Sequence, residues 1–338
     1  MYYILFIFTP LIIYLTNNII KKKRFFHNYS GDLHQKYSGE KLIPLAGGLY
    51  LIFFFIFFLY KSFLLLYFFL FVIFLIGLLS DFRIVNSPLK RLLMQTVVVI
   101  FFVYFFELQL ISTRIIFLDI MLTNIYFSIF FTSFCLIILM NGSNFIDGLN
   151  SLVLVYYTII LIILFNFDLL LNFTDYHWYF LIYFLSILII FNFNNIFYLG
   201  DSGTYLLSFF TGFLVIDTYN NFSLLSPFFV VLLLWYPCFE NLFSIIRKFK
   251  LNKSPINPDT KHLHQLVFFF IFKKFKTKKN FANNFASISI NIYNLILFYL
   301  GTLNMYNSQY LIVLIVSSVT IYTIIYLRLF KYKFGLNV

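Results

Sequence analysis

Four short polar segments interrupt an otherwise strongly apolar chain, and each carries residues able to handle a metal ion or an anion. The first, GLLSDFRIVNSPLKRLLMQ (77–95), places Asp81 in one loop with Arg83, Lys90 and Arg91. Carboxylate oxygens suit hard divalent cations, and guanidinium groups suit phosphate. Taken alone, the segment reads equally well as a solvated loop whose basic residues anchor helices to a membrane surface. The second, NGSNFIDGLNSL (141–152), surrounds Asp147 and Gly148 with the amides of Asn141, Asn144 and Asn150. Its Asp-Gly pair is a turn signal, but a plain polar connector rarely concentrates so many such groups. The third, FYLGDSGTYLLSFFTG (197–212), sets Asp201 between Gly200 and Gly203, just before an apolar run. Glycine lets backbone approach a ligand closely, and a helix N-terminus favours phosphate. Asp201 could hold a cation bridging those phosphates, and it would also make an ordinary helix cap.

The fourth segment, PDTKHLHQ (258–265), puts His262 and His264 two apart, beside Asp259 and Lys261, in a basic stretch from Arg247 to Lys279. Such a pair suits anion binding or proton handling. Zinc does not fit, because no cysteine or third histidine lies nearby. The Lys273–Lys279 run reads as a contact for anionic headgroups. A weaker signal, KLIPLAGGLY (41–50), combines Pro44 with Gly47-Gly48 and reads at least as well as a helix-entry turn. His27, His34 and His177 lack converging partners. Cys135 and Cys238 show neither disulfide nor metal spacing.

Composition decides what must position these segments. Of 338 residues, 62% are apolar and only 11% charged, where a soluble domain carries roughly 25% charged residues. A soluble enzyme, a disordered chain and a nucleic-acid-binding domain are therefore excluded, and the net charge of +12 becomes a question of membrane topology. A crossing helix needs about 20 apolar residues. That ruler gives about eleven spans, near 2–20, 45–60, 62–80, 92–107, 124–140, 151–166, 177–192, 203–217, 222–244, 283–303 and 309–330. The second and third read as a tight hairpin across Lys61 and Ser62, and Pro237 should kink the ninth. The first reads as a permanent anchor, since its cationic cluster Lys21–Arg24 follows the apolar run.

With the N-terminus outside, the inner segments are 21–44, 81–91, 141–150, 193–202, 245–282 and 331–338. Together with Arg247 and Arg328 at helix ends, they hold 22 of the 24 Lys and Arg residues, leaving out Lys61 and Arg114. Basic residues in short loops mark the cytoplasmic side. The expectation is an all-α, polytopic integral membrane protein with about eleven transmembrane helices, forming one domain over 1–338. Its candidate site lies on the cytoplasmic face, and ionisable groups at such a boundary are functional candidates by default.

Taken in order, the four segments resemble the polyprenyl-phosphate N-acetylhexosamine-1-phosphate transferase family, glycosyltransferase family 4, over roughly residues 40–270. Its multi-pass enzymes start bacterial O-antigen, capsule, teichoic-acid and peptidoglycan lipid intermediates. The chain looks more like the branch initiating surface polysaccharides. The resemblance implies catalytic roles for Asp81, Asp147 and Asp201, with Asp201 and Asp81 on a metal. It implies substrate contacts for Arg91, Asn144, Asn150, His262 and His264, the histidines meeting the nucleotide-sugar phosphates. The chain departs from the family pattern at Ser80, where an aspartate often precedes Asp81, at Asn150, where an aspartate is frequent, and at Gln265, where a histidine is common.

The implied reaction moves a sugar 1-phosphate from a UDP-sugar to polyprenyl (undecaprenyl) phosphate and releases UMP. It needs Mg²⁺, with Mn²⁺ as an alternative. The implied partners are donor, acceptor and lipid bilayer, with no nucleic acid and with a homodimer left open. The implied location is the bacterial inner membrane. Two other readings remain, a multi-pass transporter or lipid flippase and a non-catalytic family member. Transporters place polar groups near the bilayer midplane in repeated halves, whereas these carboxylates sit at one boundary with no internal repeat.

Overall fold

Within lipid each backbone N–H and C=O must be satisfied inside its own segment, so long apolar runs become helices. A computed structural model describes residues 2–23, 43–59, 63–167, 169, 175–250 and 261–335. Its described residues form α1 (Tyr2–Lys23), α2 (Gly47–Leu59), α3 (Leu64–Asp81), α4 (Pro88–Phe105), α5 (Ile116–Leu122), α6 (Ile125–Ile146) and α7 (Leu152–Asn166). They continue with α8 (Asp175–Phe193), α9 (Gly200–Asn221), α10 (Pro227–Lys250), α11 (Leu263–Phe275), α12 (Lys279–Thr302) and α13 (Ser308–Phe334). Among these residues there is no strand, only an isolated parallel bridge between Leu45 and Tyr198.

Each expected span contains a helix, and α5 and α11 lie in the connections between spans. Among the described residues, α3, α4, α6, α10, α12 and α13 are long and apolar enough to cross a membrane by length and composition. Apolar stretches in α2, α7 and α8 are shorter. Helix α9 falls outside both groups because Asp201, Ser202, Thr204, Ser208, Thr211 and Asp217 interrupt its apolar residues. The bend expected at Lys61-Ser62 lies outside the described residues, as do His27, His34 and Asp259.

Helix α9 is the centre of the molecule, packed against α2, α3, α6, α7 and α10. Nearly all of it from Ser202 to Tyr219 is buried. Small residues allow this, as they do between helices in lipid, where close backbone approach replaces a hydrophobic driving force. A methyl group at Gly77 of α3 would collide with the backbone of Ser202, and one at Gly48 of α2 with Ser202 and Gly203.

Pro237 does not end α10, which continues unbroken from Pro227 to Lys250. Proline has no N–H, so the carbonyl four residues earlier loses its helical donor. That carbonyl belongs to Leu233, and the buried Tyr156 hydroxyl of α7 donates to it at 2.7 Å. Gly142 of α6 admits the Pro237 carbonyl, which a side chain there would strike.

The end of the bundle away from the candidate site is tied together by Arg114. Its guanidinium donates to the carbonyls of Leu224, Leu225 and Tyr306 and to the Ser308 hydroxyl, all at 2.9–3.1 Å. Both cysteines are unpaired.

Candidate active site

Asp201 occupies the first turn of α9, where the chain enters the helix through Gly200 at φ +75°. L side chains disfavour that conformation. Three side chains from three other places in the sequence converge on its carboxylate. Arg91 Nη1 donates to Oδ2 at 2.6 Å, Ser80 Oγ donates to Oδ2 at 2.5 Å, and Asn144 Nδ2 donates to Oδ1 at 2.6 Å. Arg91 also reaches the Ser80 hydroxyl at 2.5 Å. The Arg91 and Asp201 side chains are 23% and 26% exposed, so a molecule arriving from outside the bundle can reach them.

Asp81 plays a different part. Buried at the end of α3, it accepts the Asp201 N–H on Oδ1 at 2.8 Å and the Ser202 N–H on Oδ2 at 3.1 Å. The first N–H groups of a helix have no partner within it, and here a carboxylate from another helix supplies one. The same loop is braced from the other side by the segment leading into α2. There the Tyr198 N–H donates to the Pro44 carbonyl at 2.9 Å, and the Gly47 N–H donates to the Tyr198 carbonyl at 3.0 Å. The Pro44–Gly48 segment thus shapes the loop carrying Asp201, beyond serving as a helix entry.

Asp147 follows the last residue of α6 and accepts from the Thr204 hydroxyl at 2.8 Å, one turn past Asp201. Burial pushes its carboxyl up to about 7, the Thr204 hydrogen bond acts against that shift, and the Asp201 charge adds to it. The carboxyl therefore exchanges its proton near neutral pH. Asn141 donates to the Gln95 side chain at 3.0 Å, tying the end of α6 to α4.

Asn150, expected among the substrate contacts, lies elsewhere. It is buried in a ladder of amides, donating to Asn195 at 2.9 Å, Asn280 at 3.2 Å and Asn284 at 2.9 Å, while Asn283 accepts its N–H at 2.7 Å. These contacts lock the start of α12 onto the turns before α7 and α9.

The histidine segment folds onto the second motif. His262 precedes α11, its ring tilted against Phe145 at 5.4 Å and stacked on His264 at 5.7 Å. His264 is fully buried against Gly148, where any side chain would strike its Nε2. Neither ring nitrogen has a hydrogen-bond partner in the fold. Burial, joined by the charges of His262 and Lys333, pulls its pKa well below the usual histidine value. His264 is therefore a neutral imidazole enclosed within the fold. His262 Nδ1 meets Glu240 of α10 at 2.9 Å.

Thr204 and Glu240 complete the constellation without having been singled out by the sequence, and Ser80, noted there only as a departure from the family pattern, joins them. Ser80 and Thr204 stood beside the named aspartates. Glu240 had a signal of its own, as an acidic residue inside an apolar span.

Among the described residues no group of three or more His, Cys, Asp or Glu is arranged as a ready-made metal site. The donor set still fits a magnesium-like ion, which takes one or two carboxylates and completes its shell with water and substrate phosphates. Asp201 is the partly exposed carboxylate that could hold such an ion, with Asp147 hydrogen-bonded one turn further along α9 and Asp81 buried behind the helix terminus.

A polytopic helical protein whose buried central helix presents an acidic first turn, clasped by an arginine and an asparagine, is a candidate for phosphate chemistry at a membrane. Residues 63–219 match the family model described as Glycosyl transferase family 4. The matched segment runs from the start of α3 almost to the end of α9 and contains Asp81, Arg91, Asn144, Asp147 and Asp201. It points to a membrane sugar-phosphate transferase. Glu240, His262 and His264 lie beyond it. No curated protein matches the chain.

Proposed function

We propose that the protein transfers a sugar 1-phosphate, of N-acetylhexosamine type, from a UDP-sugar to polyprenyl (undecaprenyl) phosphate, with release of UMP. An acceptor phosphate oxygen forms a bond to the phosphorus bearing the sugar, and the bond from that phosphorus to the bridging oxygen breaks, leaving with UMP. The observation carrying this reading is the Asp201 cluster, in which one partly exposed carboxylate, a guanidinium and an amide meet at a helix N-terminus.

The acceptor phosphate loses its second proton near pH 6, as phosphomonoesters on side chains do. At neutral pH it is already mostly dianionic, and the task left to the protein is to bring two anions together. Arg91, beside the first turn of α9, binds and orients phosphate oxygens. Asn144 holds the Asp201 carboxylate in place through its hydrogen bond to Oδ1. Mg²⁺, held by Asp201 with Asp147 and with Asp81 behind them, would supply charge neutralisation for the donor pyrophosphate and the leaving UMP. The sequence-based topology, with about eleven crossings, an outside N-terminus and a cytoplasmic site, belongs to this proposal. So does a place in the bacterial inner membrane, at the first step of a surface polysaccharide.

The test is UMP release by purified protein supplied with Mg²⁺, polyprenyl phosphate and each of several UDP-sugars. Release with at least one donor, dependent on the acceptor, is expected. Acceptor-independent release, or none with any donor, would overturn the proposal.

A further inference from the structure

Arg91 already holds the carboxylate that a divalent cation would need. Asp201 Oδ2 accepts two hydrogen bonds, from Arg91 Nη1 at 2.6 Å and from the Ser80 hydroxyl at 2.5 Å. A carboxylate oxygen has two lone pairs, so both on Oδ2 are engaged. Oδ1 accepts from Asn144 Nδ2 at 2.6 Å and keeps one. A cation bound at that remaining position would face the guanidinium across a single carboxylate, and like charges so close repel. Asp81 offers no ready replacement, because it is buried and its two oxygens hold the N–H groups of Asp201 and Ser202.

Ser80 seats the guanidinium. Its hydroxyl gives its proton to Oδ2 and accepts from Arg91 Nη1 at 2.5 Å, closing a triangle of short contacts. Serine carries no charge, so the ion pair of Arg91 is with Asp201. The seat leaves the guanidinium incompletely paired, since Arg91 Nε is buried with no hydrogen-bond partner among the described residues. One edge of a guanidinium matches two phosphate oxygens. A phosphate can therefore satisfy the donor that the carboxylate leaves over, and both side chains are partly exposed to an arriving ligand.

We propose that Arg91, seated by Ser80, is the built-in counter-ion of Asp201, and that phosphate and divalent cation enter as partners: a phosphate draws the guanidinium away, and the freed Oδ2 takes the cation. By linkage, each ligand then raises the affinity of the other by the same factor. Ser80 is a positioning residue in this arrangement, acting through Arg91. The inference rests on the transferase reading above, but binding measurements test it without any turnover.

The experiment measures Mn²⁺ binding to the full-length protein in detergent, from the loss of the free-ion EPR signal, with and without methyl phosphate. A protein-free titration corrects for ion held by methyl phosphate itself, and Asp201→Asn identifies the binding that belongs to this site. Wild type should bind Mn²⁺ about tenfold more tightly when methyl phosphate is present. Arg91→Met should bind the ion alone about tenfold more tightly than wild type, and methyl phosphate should then add less than twofold. Lys90→Gln removes a positive charge from the adjacent, exposed residue and should stay within about twofold of wild type, as a solvent-screened charge would. Ser80→Ala keeps every charge and only unseats Arg91, so it should tighten Mn²⁺ roughly threefold in the absence of phosphate. An Arg91→Met affinity no higher than wild type, an equal gain in Lys90→Gln, or an unchanged affinity in Ser80→Ala would each overturn the proposal. So would a wild-type affinity indifferent to methyl phosphate. The expected binding without turnover of any UDP-sugar would count against the transferase reading alone.

Discussion

Asp81 holds Asp201 by its backbone. The Asp81 carboxylate accepts the N–H groups of Asp201 and Ser202 at 2.8 and 3.1 Å, while the Asp201 side chain turns to Arg91, Ser80 and Asn144. Two acids that look equivalent in the sequence are thereby given different work. One is buried and builds the helix terminus; the other is a quarter exposed and available to a ligand.

That division predicts opposite signatures for the two aspartates. Asp81→Ala leaves two buried N–H groups without partners, at about 1–3 kcal/mol each, so it should lower the melting temperature and the activity together. Asp201→Asn leaves groups that water can reach, and should leave the melting temperature nearly unchanged while activity falls roughly 10²–10³-fold, as when a preorganised charge is removed. Thermal melts in detergent beside a transfer assay check both.

Gly77→Ala should act like a site mutation although its residue bears no chemistry. The added methyl meets the backbone of Ser202, which cannot move without shifting Asp201. Overpacking of this kind is destabilising by about 1–3 kcal/mol, and the activity loss should exceed tenfold. Gly301→Ala is the control, since its methyl would clash with the side-chain end of Leu232 and otherwise make ordinary contact with Phe229, away from Asp201. It should lose less than half its activity.

Asp147 predicts a pH-dependent stability. Its carboxyl titrates near 7 in the fold instead of near the ordinary 3.8, so the folded state binds the extra proton between those values. Stability therefore falls as pH rises from about 4 to about 7 and is flat beyond. Asp147→Asn should abolish that fall, giving a melting temperature above wild type at pH 8 and close to it at pH 4.5.

Tyr156 and Pro237 should show compensation. Tyr156→Phe strips the donor from the Leu233 carbonyl, and Pro237→Ala restores an N–H to it. The single Tyr156→Phe change should cost about 1–3 kcal/mol. Adding Pro237→Ala should recover most of the loss, as read from melting temperatures of the two variants and the double mutant.

Much of this architecture could be read from the amino-acid order, and the limits of that reading have physical causes. Apolar runs marked the helices because lipid leaves the backbone no other choice. The four polar segments marked the site because charges at a boundary are too unfavourable to persist without use. Asp201, Arg91, Asn144 and Asp147 do converge. Residue type could not separate Asp81 from Asp201, because which face of a carboxylate meets a helix terminus depends on the α3–α9 approach. Asn150 sat in a catalytic-looking motif, yet its partners are asparagines about 45 and more than 130 residues away, which spacing cannot reveal. Glu240 and Tyr322 are 82 residues apart and meet only through the packing of α10 against α13. The run of helix through Pro237 likewise depended on a tyrosine from another helix.

The most direct test of the account uses UDP-sugar labelled in the phosphate that bears the sugar. Purified protein, Mg²⁺ and polyprenyl phosphate should move that label into the lipid fraction, one label for each UMP released. Asp201→Ala should reduce the transfer at least a hundredfold, in line with the loss of a preorganised charge. Label that never reaches the lipid with any donor, or that reaches it undiminished in the Asp201→Ala variant, would contradict the account.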